Sequence, residues 1–168
     1  LNIYLTGVAG KLQAEIGKRE PFASVEEEVT LNLLCTADRL MGHFELALRP
    51  LGLTPTQYNV LRILRGLSPQ GVACQEIARR MITRDADLTR LLDRLETRGL
   101  LTRQRQSDDR RVVHIHIAAD GMELLAKLDP IIGQINRSIF AGFELARMTA
   151  MVEDLERLRE QLEREEKA

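Results

Sequence analysis

Hydrophobic positions recur at helical spacing over most of this chain and switch once to alternation. From Val25 to about Arg49, Leu33, Ala37, Leu40 and Phe44 form one stripe, with Leu34, Met41 and Leu48 recurring at sevens beside it. This spacing predicts a helix that is apolar over a wide arc and therefore needs more than one partner. Pro50, Gly52 and Leu53 end it. Thr54-Pro55-Thr56-Gln57 then reads as a capping box with proline at the first helical position, opening a second helix that carries Tyr58, Val60, Leu61 and Leu64. Gly66, Ser68, Pro69 and Gly71 mark a loop, and Val72 to Met81 predicts a short third helix with Ile77 and Ala78 facing inward. Thr83 to Arg98 predicts a fourth helix, capped by Thr83 or Asp85. Its buried side is Leu88, Leu91, Leu92 and Leu95, and its opposite side is Arg84, Asp87, Arg90 and Arg94. Gly99 stops it, because the left-handed conformation at that position costs least in glycine.

Alternation replaces helical spacing at Leu100 to Gln106 and Arg111 to Ile117, which predicts two strands joined by a polar tip, Ser107 to Arg110. Val113, Ile115 and Ile117 share one face; His114 and His116 share the other. Asp120 to about Ala146 returns to a long helix, with Leu124, Leu125, Leu128, Ile131, Ile132, Ile135 and Ile139 as its apolar side and a kink expected at Pro130. The last helix, from Thr149 onward, repeats Met151, Leu155, Leu158 and Leu162. Glu153 with Arg157 and Glu160 with Arg164 are spaced to pair on its exposed side. Such a narrow apolar seam wants a partner helix.

Composition sharpens this picture at one place. The chain of 168 residues carries a net charge of −1, yet residues 79–117 hold ten arginines, no lysine and six acids. That stretch is +4 and the remainder −5, and phosphates respond to the local field of one face rather than to the total. Arginine presents a planar fork that fits phosphate oxygens and the guanine edge. Trp is absent and Leu and Ala dominate, which favours helices. The two cysteines, Cys35 and Cys74, lie far apart without CxxC spacing, so buried, reduced thiols in a cytoplasmic protein are expected. No apolar run reaches the roughly 18 residues needed to span a bilayer, so no membrane partner is expected. Leu1 to Gly10 lacks a basic leader and reads as a helical extension rather than a signal.

Several of these segments together resemble the MarR family of bacterial transcriptional regulators. They are Leu-Thr-Pro-Thr-Gln-Tyr at 53–58, Glu76-Ile77-Ala78, Leu88-Thr89-Arg90 with Leu95-Glu96 and Arg98-Gly99-Leu100, Asp108-Asp109-Arg110-Arg111, and Asp120-Gly121. The resemblance runs from about Val25 to the end. It implies a mainly α fold with a small β-hairpin: a winged helix-turn-helix at residues 54–118, with dimerisation helices at 25–50 and 120–168 after an N-terminal extension, 1–24. It also implies a homodimeric, ligand-released repressor on a pseudo-palindromic DNA operator. In such a motif the second helix enters the major groove, which nominates Arg84, Ala86, Asp87, Thr89 and Arg90 near base edges, with Arg84 and Arg90 as readers. Arg94, Arg103, Arg105 and Arg110 are expected as anchors, with Arg110 at an adjacent minor groove. Arg111 is either a second DNA contact or the partner that holds Asp109.

The family's usual effector pocket implies His43, Phe44, Tyr58 and Arg62 as walls for a small aromatic or anionic molecule. Two features depart from the family pattern. Asp85 and Asp87 place negative charge near the reading end, and Ala73 and Ala118 stand where a Ser or Thr cap is usual. Alternative readings are a redox-responsive regulator using Cys35, a metal-responsive one using His114 and His116 with His43, or a winged helix serving protein contacts alone. An enzyme is not expected, since no Gly-rich nucleotide segment follows a strand and no catalytic triad or carboxylate pair is readable. Neither a cofactor nor a metal is expected.

Overall fold

The structure, a computed structural model, describes residues 10–83, 87–105 and 113–167. The elements in chain order are α1 (Lys11–Glu15), α2 (Val25–Leu48), α3 (Pro55–Gly66), β1 (Val72–Ala73), α4 (Cys74–Arg80), α5 (Leu88–Thr97), β2 (Leu101–Arg105), β3 (Val113–Ile117), α6 (Ala119–Ile139) and α7 (Leu145–Glu165). Backbone packing divides the chain into two units, residues 1–128 and 129–168, and the division falls inside α6.

In the first unit, α2 begins where expected. The Ser24 hydroxyl accepts from the Glu27 N–H at 3.2 Å, and Glu26, Glu27 and Glu28 place carboxylates at the positive end of the helix dipole. A single 3₁₀ turn, Arg49–Leu51, ends it. The capping box of α3 is complete: Thr54 Oγ1 accepts from the Gln57 N–H at 3.2 Å, and Gln57 Oε1 accepts from the Thr54 N–H at 3.1 Å. Val60, Leu61 and Leu64 of α3 are buried together with Leu48, Ile77, Leu92 and Leu95, which makes this unit's core mainly leucine.

Several expected boundaries move. Val72 and Ala73 are a strand rather than the start of a helix, with Val72 opposite Ile115 and Ala73 opposite His114. Ala73 supplies no side-chain cap, so nothing holds a helix that early, and β-branched Val72 finds a strand partner instead. The sheet is therefore three antiparallel strands in the order β1-β3-β2, one more than a hairpin. In α4 Ile77 is buried, but Ala78 is exposed, a rotation of about 100° away. Helix α5 starts at Leu88 rather than Thr83, and Asp87 caps it instead of Thr83 or Asp85, accepting from the Arg90 N–H at 3.3 Å. Residues Arg84 to Ala86 lie outside the described residues.

Helix α6 runs through Pro130 and is seated at its start by Gly121, where a Cβ would collide with the Leu100 carbonyl and the Ile117 side chain. It stops at Ile139, earlier than the expected Ala146. Gly142 adopts a φ of 86°, and the Phe143 N–H closes a turn on the Phe140 carbonyl at 3.1 Å. Helix α7 accordingly starts at Leu145 rather than Thr149. Along α7, Leu145, Met151, Val152, Leu158 and Leu162 are exposed. Arg164 lies 3.5 Å from Glu160 as expected, but Arg157 turns to Asp154, at 3.8 Å, rather than to Glu153. The thiols are free, though not buried as expected: Cys74 is exposed and Cys35 half-buried.

Candidate nucleic-acid interface

Helix α5 has two chemically opposed sides. Leu88, Leu91, Leu92 and Leu95 fall at i, i+3, i+4 and i+7 and are all buried, so Thr89, Arg90 and Arg94 must face outward, and all three are exposed. Asp87 stands at the head of that outward side. Its carboxylate caps the helix and also meets the Arg90 guanidinium, with Nε 3.1 Å from Oδ2. The Asp87 carboxylate is thus partly neutralised by the neighbouring Arg90. Ahead of it, the Asn59 side chain of α3 accepts from the Ile82 N–H at 3.0 Å and pins the turn between α4 and α5. Ile82 itself is 82% exposed, an apolar surface at this end of α5 that the sequence reading missed; its signal was an isoleucine outside every helical stripe.

At the other end of α5, Arg98 reaches back to the end of α2. Its guanidinium donates to the Gly52 carbonyl at 2.5 Å and to the Leu51 carbonyl at 3.0 Å. Behind α5 stand β2 and β3, with Leu101, Arg103 and Arg105 directly opposite Ile117, Ile115 and Val113. Arg105 is exposed. Arg103 is turned to α5: Nη1 lies 2.7 Å from Asp93 Oδ1 and 2.6 Å from Glu96 Oε2. Partial burial works to lower its pKa, and the bond to Asp93 with the charges of Glu96 and Asp93 outweighs this and leaves it raised. Arg103 is a cation on both sides of neutrality. Arg103 and Asp93 also border a cleft of roughly 290 Å³, lined with them by Cys74, Thr89, Leu92, Val113 and Ile115. Asp93 and Glu96 as the partners of Arg103 were also missed; their signal was their place on α5, seven to ten residues before a strand arginine.

Of the expected DNA contacts, Arg84, Ala86, Arg110 and Arg111 lie outside the described residues, as does Asp109. Asp87, Thr89, Arg90 and Arg94 share one exposed side of α5. The two strand histidines do not converge on a third ligand. His116 Nδ1 lies 3.1 Å from the Pro69 carbonyl and His114 Nδ1 3.4 Å from the Gln70 carbonyl, so both rings face the loop before β1. Among the described residues no group of three or more His, Cys, Asp or Glu is placed to hold a metal ion. Also among them, no helix is long and apolar enough to cross a membrane.

The residues expected around an effector are only partly gathered. The Arg62 guanidinium lies 5.8 Å from the centre of the buried Tyr58 ring, one turn along α3, while on α2 Phe44 is half-buried and His43 exposed. A separate cleft of roughly 350 Å³ lies between α1 and α2, lined by Lys11, Leu12, Glu15, Asn32, Cys35, Thr36 and Arg39, with an Arg39–Glu15 ion pair of 2.6 Å. None of the four expected residues lines it.

Comparison with known proteins identifies this arrangement. The MarR family model matches residues 53–113, the span from the capping box of α3 to the start of β3. The HTH-type transcriptional regulator YkoM of Bacillus subtilis is 35% identical over 80 residues, a match covering 48% of this chain and about half, 51%, of that protein. A MarR transcription factor from Planctomyces limnophilus is 35% identical, with 83% of this chain and 98% of that one covered at a TM-score of 0.61. BpsR of Bordetella bronchiseptica, whose DNA binding is regulated by 6-hydroxynicotinic acid, is 26% identical over 79% of this chain and 98% of its own, at a TM-score of 0.70. With the capped α3, the two-sided α5 and the three-stranded wing in this order, the chain belongs to the MarR family of winged helix-turn-helix transcriptional regulators.

Proposed function

We propose that this chain is a sequence-specific DNA-binding transcriptional regulator that acts as a homodimer and represses from a pseudo-palindromic operator until a small effector releases it. The observation that carries the reading is the outward side of α5. Thr89, Arg90 and Arg94 are presented by a helix whose opposite side is locked into a leucine core. A rigid helix with a cationic side fits the major groove, where arginine reads guanine and threonine approaches either base type. Arg90 is the base reader, with Arg94 and Arg105 on phosphates. Arg84, Ala86, Arg110 and Arg111 are the further DNA contacts of this reading.

Residues 54–118 form the reading domain, residues 25–50 and 120–168 the dimerisation region, and residues 1–24 an extension. The exposed apolar row of α7 supports dimerisation, since a helix with that seam is stable only against another apolar surface. Two reading helices held about 34–36 Å apart would match successive turns of one groove. An aromatic or anionic effector is supported by the Tyr58–Arg62 stack and by the behaviour of BpsR.

Selection of duplexes from a random pool by the full chain tests this reading. The selected duplex is expected to bind with an affinity that falls steeply with salt. Arg90→Ala is expected to weaken the selected duplex by about 10- to 100-fold, the range set by loss of one bidentate base contact, and an unselected duplex far less. Equal losses on both would reduce Arg90 to a backbone contact. No enrichment at all would overturn the reading.

A further inference from the structure

Arg103 lies at the inward-looking stretch of its strand face, a poor place for a phosphate anchor. Cross-strand partners share a face, and Arg103 is directly opposite Ile115, two residues on from Leu101. Ile115 and Leu101 are each 1% exposed, so this face looks into the protein. A charged side chain on an inward face must find partners before it finds solvent. Arg103 finds two, Asp93 and Glu96, both on the single nitrogen Nη1 and both on α5. Its side chain is 26% exposed, against 77% for Arg90.

The surroundings say what that bond holds. Between α5 and the strands lies the 290 Å³ cleft, so at this end the wing is not sealed to the helix by close packing. Arg103, Asp93 and Leu92 all border that cleft, and the ion pair crosses beside it. An apolar seal is non-directional, whereas a guanidinium held by two carboxylates fixes a distance and an orientation.

We propose that Arg103 is a positioning residue that sets the wing against the recognition helix through Asp93 and Glu96, and that it makes no contact with phosphate. This rests on the DNA-binding reading above. It separates two classes of arginine in one basic stretch: Arg90, Arg94 and Arg105 are exposed, while Arg103, on the same strand face as Arg105, is engaged by α5 and aims them.

The test uses the full chain, a duplex that the wild type selects from a random pool, and an unselected duplex. Neutralising the acids with Asp93→Asn and Glu96→Gln together is expected to weaken the selected duplex about tenfold, although it removes two negative charges from a DNA-facing element. A gain in affinity, as for an anchor relieved of competing acids, would overturn the proposal. Arg103→Met is expected to cause a similar loss on the selected duplex with an unchanged slope of log K against log salt. A slope shallower by about 0.9, the signature of one lost phosphate contact, would also overturn it. Swapping the charges, Arg103→Glu with Glu96→Arg, is expected to recover part of the affinity lost in Arg103→Glu alone; no recovery counts against the bond.

Amide hydrogen exchange reads the same bond without DNA. Arg103→Met is expected to speed exchange in β2 and β3 while leaving α3 protected. Unchanged exchange overturns the proposal whatever the protein does with DNA. A wild type that selects no duplex overturns the DNA-binding reading, and the exchange result then stands alone.

Discussion

Helices α5 and α7 both carry a leucine seam, and the two have opposite fates. In α5 the seam of Leu88, Leu91, Leu92 and Leu95 is buried within its own unit. In α7 only Met148 and Leu155 are even half-buried, while Met151, Val152, Leu158 and Leu162 stand exposed. Burying a leucine is worth about 1.5–3 kcal/mol, so the first seam stabilises the folded subunit and the second has that free energy still to gain. A helix that finishes its core at home is free to offer its other side to a ligand. One that does not leaves an apolar surface to cover, which supports the proposed dimer.

The strongest way to break this contrast is to charge the seam of α7. Leu155→Glu with Leu162→Glu is expected to abolish the dimer and to lower affinity for a selected duplex by about 100-fold or more, because one reading helix then engages alone. Sedimentation together with a duplex titration checks both effects. A dimer that survives would move the interface to other helices. A substitution in α5 should act on the subunit instead: Leu92→Ala is expected to cost about 2–5 kcal/mol in denaturant unfolding, from lost burial plus the cavity left behind. A loss under 1 kcal/mol would mean that the seam is less closely packed than its burial indicates. Smaller again is the cap of α3, where Thr54→Ala is expected to cost about 1 kcal/mol by the same measurement and to leave the dimer intact.

The legibility of these two helices in the sequence was unequal for a physical reason. The leucine periodicity and Gly99 sufficed for the body and end of α5, and Thr54-Pro55-Thr56-Gln57 sufficed for the start of α3, because each rests on hydrogen bonds within one turn. Where the local signal was weak, boundaries slipped. Ala73 offers no cap, so β1 was read as helix, and its identity depends on Ile115, 43 positions away in the chain. The start of α5 slipped because Thr83, Asp85 and Asp87 are all competent caps, and only the tertiary position of the leucines selects among them. The arginines were legible as a basic face but not as individuals. Arg103 and Arg105 look alike in a string of residues and share one face of β2, and the division between them lies in two acids on a neighbouring helix that meet Arg103.

The fork of Arg98 adds a mechanical consequence. Two bonds from one planar group, to Gly52 and Leu51, resist twisting as well as pulling, so the far end of α5 is its fulcrum. Among the described residues, the near end carries the Asn59 bond to the Ile82 amide, the Asp87 cap with its Arg90 ion pair, and the buried Leu88. With about 1.5 Å of rise per residue, α5 is roughly 15 Å long, and a tilt of about 10° about the Arg98 end displaces the other end by about 2.6 Å. That is close to the length of a hydrogen bond. If Arg90 reads a base as proposed, a movement at the end of α2 that reached the Arg98 fork would be felt at the other end of α5.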